Sequence, residues 1–503
     1  MTRLGFLLDS DSCIGCHACT VACKSEHDVP LGVNRTWVKY IESGSFPNVS
    51  RHFSVMRCNQ CDDAPCMSIC PTNALFRADN GVVDFNDDNC IGCKGCMNAC
   101  PYDALYINPE TNTAQKCNFC NHRLEQNLEP SCVVVCPTQA IKVADLDDPL
   151  NLATSIIARE DVAVRAPEQG TSPKVFYKGA DQASLNPLRT AIANDGLIWA
   201  DTTPAHPTVP PDSPGVVART TYTTSHQMAW KEKVSGYLVT KAIAGGVMLI
   251  AALLVLLGHS NEQAAVGVVP PMVGGVFLAL TGVLLVVDLK QPSRFHYLIT
   301  RGSWESWLVK GAYILAGFAA LMAAWWIAGL ADMHRTIEVL AIPTALFGAG
   351  TAGYTAFLFG QCEGRDLWQT PLLLPTLLAQ TVTAGGATYS IIDLFMDVPS
   401  IAAVHWAFLG GAITTLALIW IEASSKATPH VEAAVHQMMH GQYARRFSFG
   451  VVGLMIGGAT AINALMINDP SPGPTAMGGL IAIAALWAYE DAFVRAGQSV
   501  PLS

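Results

Sequence analysis

Sixteen of the seventeen cysteines in this 503-residue chain fall between Cys13 and Cys136, in four groups of four. The first group is Cys13, Cys16, Cys19 and Cys23; the third is Cys90, Cys93, Cys96 and Cys100, followed by Pro101. Both have a C-x2-C-x2-C-x3-C run, in which three thiolates close round one iron–sulfur cubane and the fourth reaches across to a second. The second group (Cys58, Cys61, Cys66, Cys70) and the fourth (Cys117, Cys120, Cys132, Cys136) carry insertions but keep the opening C-x2-C and the closing x3-C. At four ligands per cubane, these thiols make four [4Fe-4S] clusters. Structural zinc usually takes separated ligand pairs, often with histidine, and has no need of a triplet at two-residue spacing. Disulfides would require an oxidising compartment. The segment Met1–Asp9 has one basic residue, no long apolar run and no cleavage site, so no export signal is expected.

The elements that must hold these thiols show an internal repeat. After Cys70, Cys100 and Cys136 the chain reads Pro-Thr-Asn-Ala-Leu, Pro-Tyr-Asp-Ala-Leu and Pro-Thr-Gln-Ala-Ile. In each, proline stiffens the turn leaving a cluster, and a small then an aliphatic residue pack beneath it. The first group departs from this, since Lys24 follows Cys23. Asn80-Gly81 before Val82-Val83-Asp84-Phe85 predicts a hairpin leading back to a cluster.

With these motifs, residues 1–190 resemble the four-cluster, bacterial-ferredoxin-like electron-transfer subunits of the complex iron–sulfur molybdoenzymes. The resemblance implies that each group lends its last cysteine to a partner. It implies four clusters: Cys13, Cys16, Cys19 with Cys136; Cys117, Cys120, Cys132 with Cys23; Cys58, Cys61, Cys66 with Cys100; and Cys90, Cys93, Cys96 with Cys70. The first would face a catalytic subunit and the last the membrane.

Beyond residue 235 the composition changes to apolar stretches about as long as a bilayer crossing, with charges gathered between them. Eight spans are expected, near 237–258, 266–288, 307–330, 337–360, 371–394, 401–421, 447–467 and 474–494. Between the modules, residues 191–235 are rich in proline and threonine and read as a linker. The fold class is therefore an α+β tandem ferredoxin-like module followed by an all-α eight-helix transmembrane bundle, residues 236–503. Lys231, Lys233, Lys290, Arg294, Arg301, Arg365, Lys426, Arg445, Arg446 and Arg495 would share the cluster side, against Arg335 opposite. That asymmetry predicts a cytoplasmic-membrane protein whose ferredoxin module faces the cytoplasm. The net charge of -10 suggests protein partners and no nucleic acid.

The membrane half resembles the polysulfide-reductase-type (NrfD-like) anchor. Val287-Asp288-Leu289, Gln291-Pro292-Ser293-Arg294-Phe295-His296-Tyr297, Ser306-Trp307 and Trp368-Gln369-Thr370-Pro371 carry the likeness. It implies a menaquinone or ubiquinone site near the ferredoxin-facing surface and no haem. A b-type haem would need ligands on facing helices, and His405 alone lies well inside an expected span. Tyr237 and Lys241, four residues apart, share a helix face. The anchor family points to Tyr237, Lys241 and Tyr354 as quinone contacts, Lys241 standing where that family carries histidine. Ionisable residues in spans are functional candidates, which adds Asp288, expected to form a structural ion pair with Arg294 or to contact the quinone head group; Arg294 and His296 lie in the loop after the second span, His296 near the expected docking surface of the last cluster.

The expected protein is a heteromeric electron-transfer and membrane-anchor subunit, with dimerisation open. It would pass electrons between a separate molybdenum or tungsten bis-pterin catalytic subunit and membrane quinone, sulfite or formate oxidation being the favoured chemistry. The alternatives are a proton-translocating component of an alternative-complex-III-like assembly and a structural zinc scaffold on a membrane anchor.

Overall fold

The computed structural model describes residues 3–45, 47–192, 218–467 and 471–503. In the amino-terminal module, strands β1 (Leu4–Asp9), β2 (Thr36–Ser45), β3 (Asn48–Arg57), β4 (Leu75–Arg77), β5 (Val83–Phe85), β6 (Leu105–Ile107) and β7 (Ala114–Lys116) are followed by β8 (Ile141–Asp145), β9 (Val162–Ala163), β10 (Val175–Lys178), β11 (Thr190–Ile192) and β12 (Ala218–Tyr222). They form sheets β8-β1-β10-β9 and β11-β12-β2-β3 and the hairpins β4-β5 and β6-β7. The β4-β5 hairpin turns at Asn80-Gly81, as the sequence predicts.

Each cysteine triplet wraps its site through a recurring backbone twist. Gly15 and Gly92, at the same place in the first and third groups, have φ 69° and 67°, and His17 and Lys94 are left-handed as well. Glycine adopts that conformation without steric cost, so the chain turns sharply between successive thiols. A short helix, Ala18–Glu26 or Gly95–Ala99, then brings in the third and fourth cysteines.

The expected linker is corrected at its carboxyl end. Ala218–Tyr222 is a strand paired antiparallel with β2 from Ser43 to Tyr40. Its threonine-rich run favours the pleated backbone, which proline and threonine content alone concealed. Gln227 then clasps the backbone N–H and C=O of Ile107 at 2.8 and 3.1 Å. The proline-rich part at 204–211 lies outside the described residues.

Eight long helices follow among the described residues: Glu232–Leu256, Val269–Asp288, Trp307–Leu330, His334–Gly360, Leu373–Ile392, Ile401–Ala423, Ala444–Met466 and Pro472–Ser499. Seven are long and apolar enough to cross a membrane, the second counted from Gln263. The fifth, Leu373–Ile392, has comparable length but carries Thr376, Gln380, Thr381, Thr383, Thr388 and Ser390, all buried. The first four helices pack as one bundle and the last four as another, the first and fifth meeting between them. The first span is 89% buried within the protein, against 22% for the second. The second span therefore turns most of its surface outward, while the first is the axis of the fold.

The cluster module is bonded directly to the bundle. Backbone N–H groups of Lys290, Gln291, Ser303 and Gly364 donate to the carbonyls of Gly92, Ile91, Pro71 and Ala99 at 3.1, 3.2, 2.8 and 3.2 Å. One continuous apolar core contains Cys58, Cys70, Cys96 and Cys100 together with Tyr237, Leu358 and Trp368.

Candidate functional site

The cysteines occupy places the repeat alone does not reveal. Cys13, Cys16, Cys19 and Cys136 line one hollow, with Val38, Val55 and Ile141 behind them. Cys23 lies within electrostatic reach of Cys117, Cys132 and Cys120. Cys66 and Cys100 adjoin Cys58 and Cys61, and Cys70 adjoins Cys90, Cys93 and Cys96. The sets also form a file: Cys19 adjoins Cys132, Cys117 adjoins Cys58, and Cys66 adjoins Cys96.

The donor set suits an inorganic cluster with a cationic metal core. Burial pushes the Cys19 thiol up to about 11 and those of Cys61 and Cys117 up to about 12, and neighbouring sulfurs push the same way. Four thiolates so crowded are stable only round a cationic metal core. Buried donors stand ready among them. Arg57 is fully buried, with Nη1 3.4 Å from Cys132 Sγ, while its Nε and Nη2 have no hydrogen-bond partner among the described residues. Lys116, also fully buried, adjoins Cys58, Cys66 and Cys117 and donates to Cys117 O at 3.1 Å. His27 Nε2 lies 3.2 Å from Cys120 Sγ, and the Ala114 N–H donates to Cys90 Sγ at 3.4 Å.

Where the last set meets the helix bundle, an apolar cavity opens. Cys93 and Ile69 line it from the cluster module, Tyr237 and Val234 from the first span, Asp288 from the second, and Tyr354 and Leu358 from the fourth. Leu285, Leu308 and Leu315 complete an apolar wall. Trp230 roofs it, donating to Cys93 O at 3.1 Å and stacking on Phe359 and Trp368.

Of the expected quinone residues, Tyr237, Asp288 and Tyr354 meet at this cavity and the others stand elsewhere. Lys241 lies behind it, with Nζ 4.8 Å from the centre of the Tyr354 ring and 5.7 Å from that of Tyr237. Its ammonium donates to Ala352 O at 3.0 Å and to Thr355 Oγ1. The Asp288–Arg294 ion pair is corrected: Asp288 pairs with Lys94 at 2.8 Å, and Arg294 donates to the carbonyls of Asp87 and Cys90 at 2.6 and 2.9 Å. Arg294 is drawn away because the turns around the third cysteine group present two backbone carbonyls to its guanidinium. His296 is exposed and bonds Ser293 O at 3.0 Å, away from the cavity.

Lys94 and Trp230 were missed by inspection of the spans alone. Lys94 directly follows Cys93, the last-set cysteine, and that adjacency was the available signal.

Comparison with known proteins agrees with this architecture. The family described as "Polysulphide reductase, NrfD" matches residues 221–488, and "4Fe-4S dicluster domain" families match residues 12–76 and 49–146. A tetrathionate reductase subunit of Salmonella typhimurium is 42% identical over 190 residues, covering 37% of this chain and 76% of that protein. A polysulfide reductase chain of Wolinella succinogenes is 39% identical over 177 residues, 35% of this chain and 93% of its own. The arsenate respiratory reductase iron–sulfur subunit ArrB of a Shewanella species is 34% identical over 225 residues, 35% and 95% of the two chains. This protein belongs to the polysulphide reductase NrfD family and is a multi-pass membrane protein in which 4Fe-4S ferredoxin-like domains are fused ahead of an NrfD-type anchor.

Proposed function

We propose that this chain carries electrons between a separate catalytic subunit and membrane quinone, through four [4Fe-4S] clusters held in the sets Cys13, Cys16, Cys19, Cys136; Cys23, Cys117, Cys120, Cys132; Cys58, Cys61, Cys66, Cys100; and Cys70, Cys90, Cys93, Cys96. When bound, the clusters supply reversible one-electron transfer. The protein's part is to line them up, bury them and neutralise them. Arg57 between the first and second sets and Lys116 between the second and third offset the charge of the thiolates, and the apolar packing keeps water from the sulfurs.

The observation that carries the reading is the shared wall of the cavity: Cys93 of the last set and the hydroxyl-bearing Tyr237 and Tyr354 line one space. Its leucine wall suits a prenyl tail. Tyr237 and Tyr354 would hydrogen-bond the ring oxygens, while Lys241 polarises both phenols from behind. The catalytic partner is taken to be a molybdenum or tungsten bis-pterin subunit, since tetrathionate, polysulfide and arsenate reductases supply the relatives. Lys231, Lys233, Lys290 and Arg294 support a cluster module on the cytoplasmic side. On that side sulfite or formate oxidation is the favoured chemistry.

Two measurements test this. The anaerobically purified chain should contain about sixteen irons, four per cubane, whereas a zinc scaffold would be colourless. Tyr354→Phe should leave the iron content unchanged yet slow reoxidation of the reduced clusters by a quinone about a hundredfold, as loss of one preorganised donor does. An unchanged rate would remove Tyr354 from the site.

A further inference from the structure

Quinone reduction consumes protons as well as electrons, and the apolar cavity is poor in groups that could supply them. Beyond the two tyrosines its lining is almost entirely aliphatic and aromatic, and the remaining ionisable group of proton-carrying type is Asp288. Asp288 stands in a wall shared with a second space. On the other side of it lies a broad cleft between the cluster module and the first, second, seventh and eighth spans. Lys94, Lys231, Glu232, Lys233, Lys290 and Arg495 line this cleft, and Asp288 and Leu289 line both spaces. Lys231, Glu232 and Lys290 are exposed, so the cleft is open to water.

The carboxyl is held in that wall. Lys94 Nζ donates to Asp288 Oδ2 at 2.8 Å, and the two side chains are only 8% and 15% exposed. The other charged or titratable groups facing Asp288 are Lys233 on the first span, Lys290 in the following loop and Tyr237. Lys233 is engaged with Val287 O at 3.0 Å. A carboxylate ringed by cations at a water-to-apolar boundary can take a proton from one side and release it on the other without crossing the bilayer core.

We propose that Asp288 passes protons between the aqueous cleft on the cluster side and the quinone in the apolar cavity, with Lys94 as the positioning partner that keeps its carboxyl in the shared wall. The inference rests on the quinone reading above. In the reducing direction the quinone takes two electrons, one at a time, from the cluster beside Cys93. Each carboxyl O–H bond breaks as a quinone O–H bond forms, and water of the cleft reprotonates the carboxylate. Two electrons and two protons give the quinol, and quinol oxidation runs the same steps backward. Lys94 belongs to the loop that holds the last set, so the electron donor and the proton donor are fixed by the same few residues. Electrons and protons enter from one side, and turnover moves no net charge across the membrane.

The test uses the full-length chain in detergent and in vesicles, with dithionite as reductant, decylubiquinone as acceptor and heptyl-hydroxyquinoline N-oxide as a binding probe. Asp288→Asn should keep its iron content, its reduction by dithionite and its binding of the probe. Its reoxidation by decylubiquinone should slow about a hundredfold, within the range of lost general acid–base catalysis, and lose the pH dependence of the unsubstituted chain. Asp288→Glu should restore most of the rate and the pH profile. Lys94→Gln should slow reoxidation less and displace the profile, and Lys94→Arg should behave as the parent. An Asp288→Asn chain with the parental rate and profile would overturn the proposal. So would loss of probe binding that Asp288→Glu does not repair, or a membrane potential built during turnover in vesicles. Failure of any quinone to reoxidise the unsubstituted chain would instead strike at the quinone reading itself.

Discussion

Glu26 shows how single side chains brace the thiol sites. Ser131 Oγ and Arg123 Nη1 donate to its Oε2 at 2.6 and 3.1 Å, and His122 Nε2 lies 2.8 Å from Oε1. The hydrogen bonds from Ser131 and His122 hold the Glu26 carboxyl down to about 2, from an ordinary 4.5. Because the folded value is depressed, this stabilisation is full above pH 4.5 and is lost as the pH falls towards 2. The carboxyl is at the surface, so screening leaves about 1 kcal/mol. Ser131 and Arg123 flank Cys120 and Cys132, so Glu26→Gln should speed loss of iron from the purified chain at neutral pH. The gap from the parent should close below pH 4.5; a gap of constant size down to pH 3 would show that the charge is irrelevant. At this scale the thiols are legible because local spacing determines their chemistry. The Asp288–Lys94 pair is not, because its partners are 194 residues apart. Nothing along the chain indicates that the carboxyl after Val287 answers a lysine in a cysteine loop rather than Arg294, six residues on.

Among elements, the spans were readable from length and hydropathy to within a few residues, and Trp307–Leu330 falls where the sequence places it. Their neighbours were not readable. The first span carries apolar residues on every face, so no stripe announces what it packs against, and only the assembled bundle shows its long contact with the fifth. That contact depends on small residues. A Cβ on Gly246 would collide with the carbonyl of Thr381 and the backbone of Gly385, and one on Gly385 would collide with Gly246 in return. Such close backbone approach is how helices associate in lipid, where burial of apolar surface gives little drive. Gly246→Leu should therefore split the two four-helix bundles and cost about 3 kcal/mol or more, at the upper end of overpacking penalties. Gly275→Leu on the second span, where an added Cβ would meet no described atom within 4 Å, is the matched control and should be nearly neutral. Thermal unfolding of both variants in the same detergent checks this, and equal melting temperatures would contradict it.

For the whole molecule, function requires that two modules of unlike composition hold one relative position, because electron tunnelling falls steeply with distance. The chain fixes that position with buried polar contacts rather than apolar area alone. Arg365, in the loop after the fourth span, pairs with Asp103 beside the third cysteine group at 3.2 Å, with side chains 7% and 8% exposed. Its Nη1 also reaches the carbonyls of Gln498 and Val500 at 3.4 and 3.3 Å, tying the carboxyl-terminal end to the same joint. Neither ion of a pair so deeply buried tolerates loss of the other. Arg365→Ala should therefore lose about 3 to 5 kcal/mol and should slow transfer from the last cluster to quinone while leaving the iron content in place. Asp103→Ala should cost less than Arg365→Ala, because the arginine it leaves behind still has two carbonyls to bond. The double variant should be milder than the sum of the single ones, since one buried charge is no longer stranded. Chemical unfolding of the three variants together with the parent measures that coupling. Strict additivity would mean that the two residues stabilise their own modules independently and that the joint is held elsewhere.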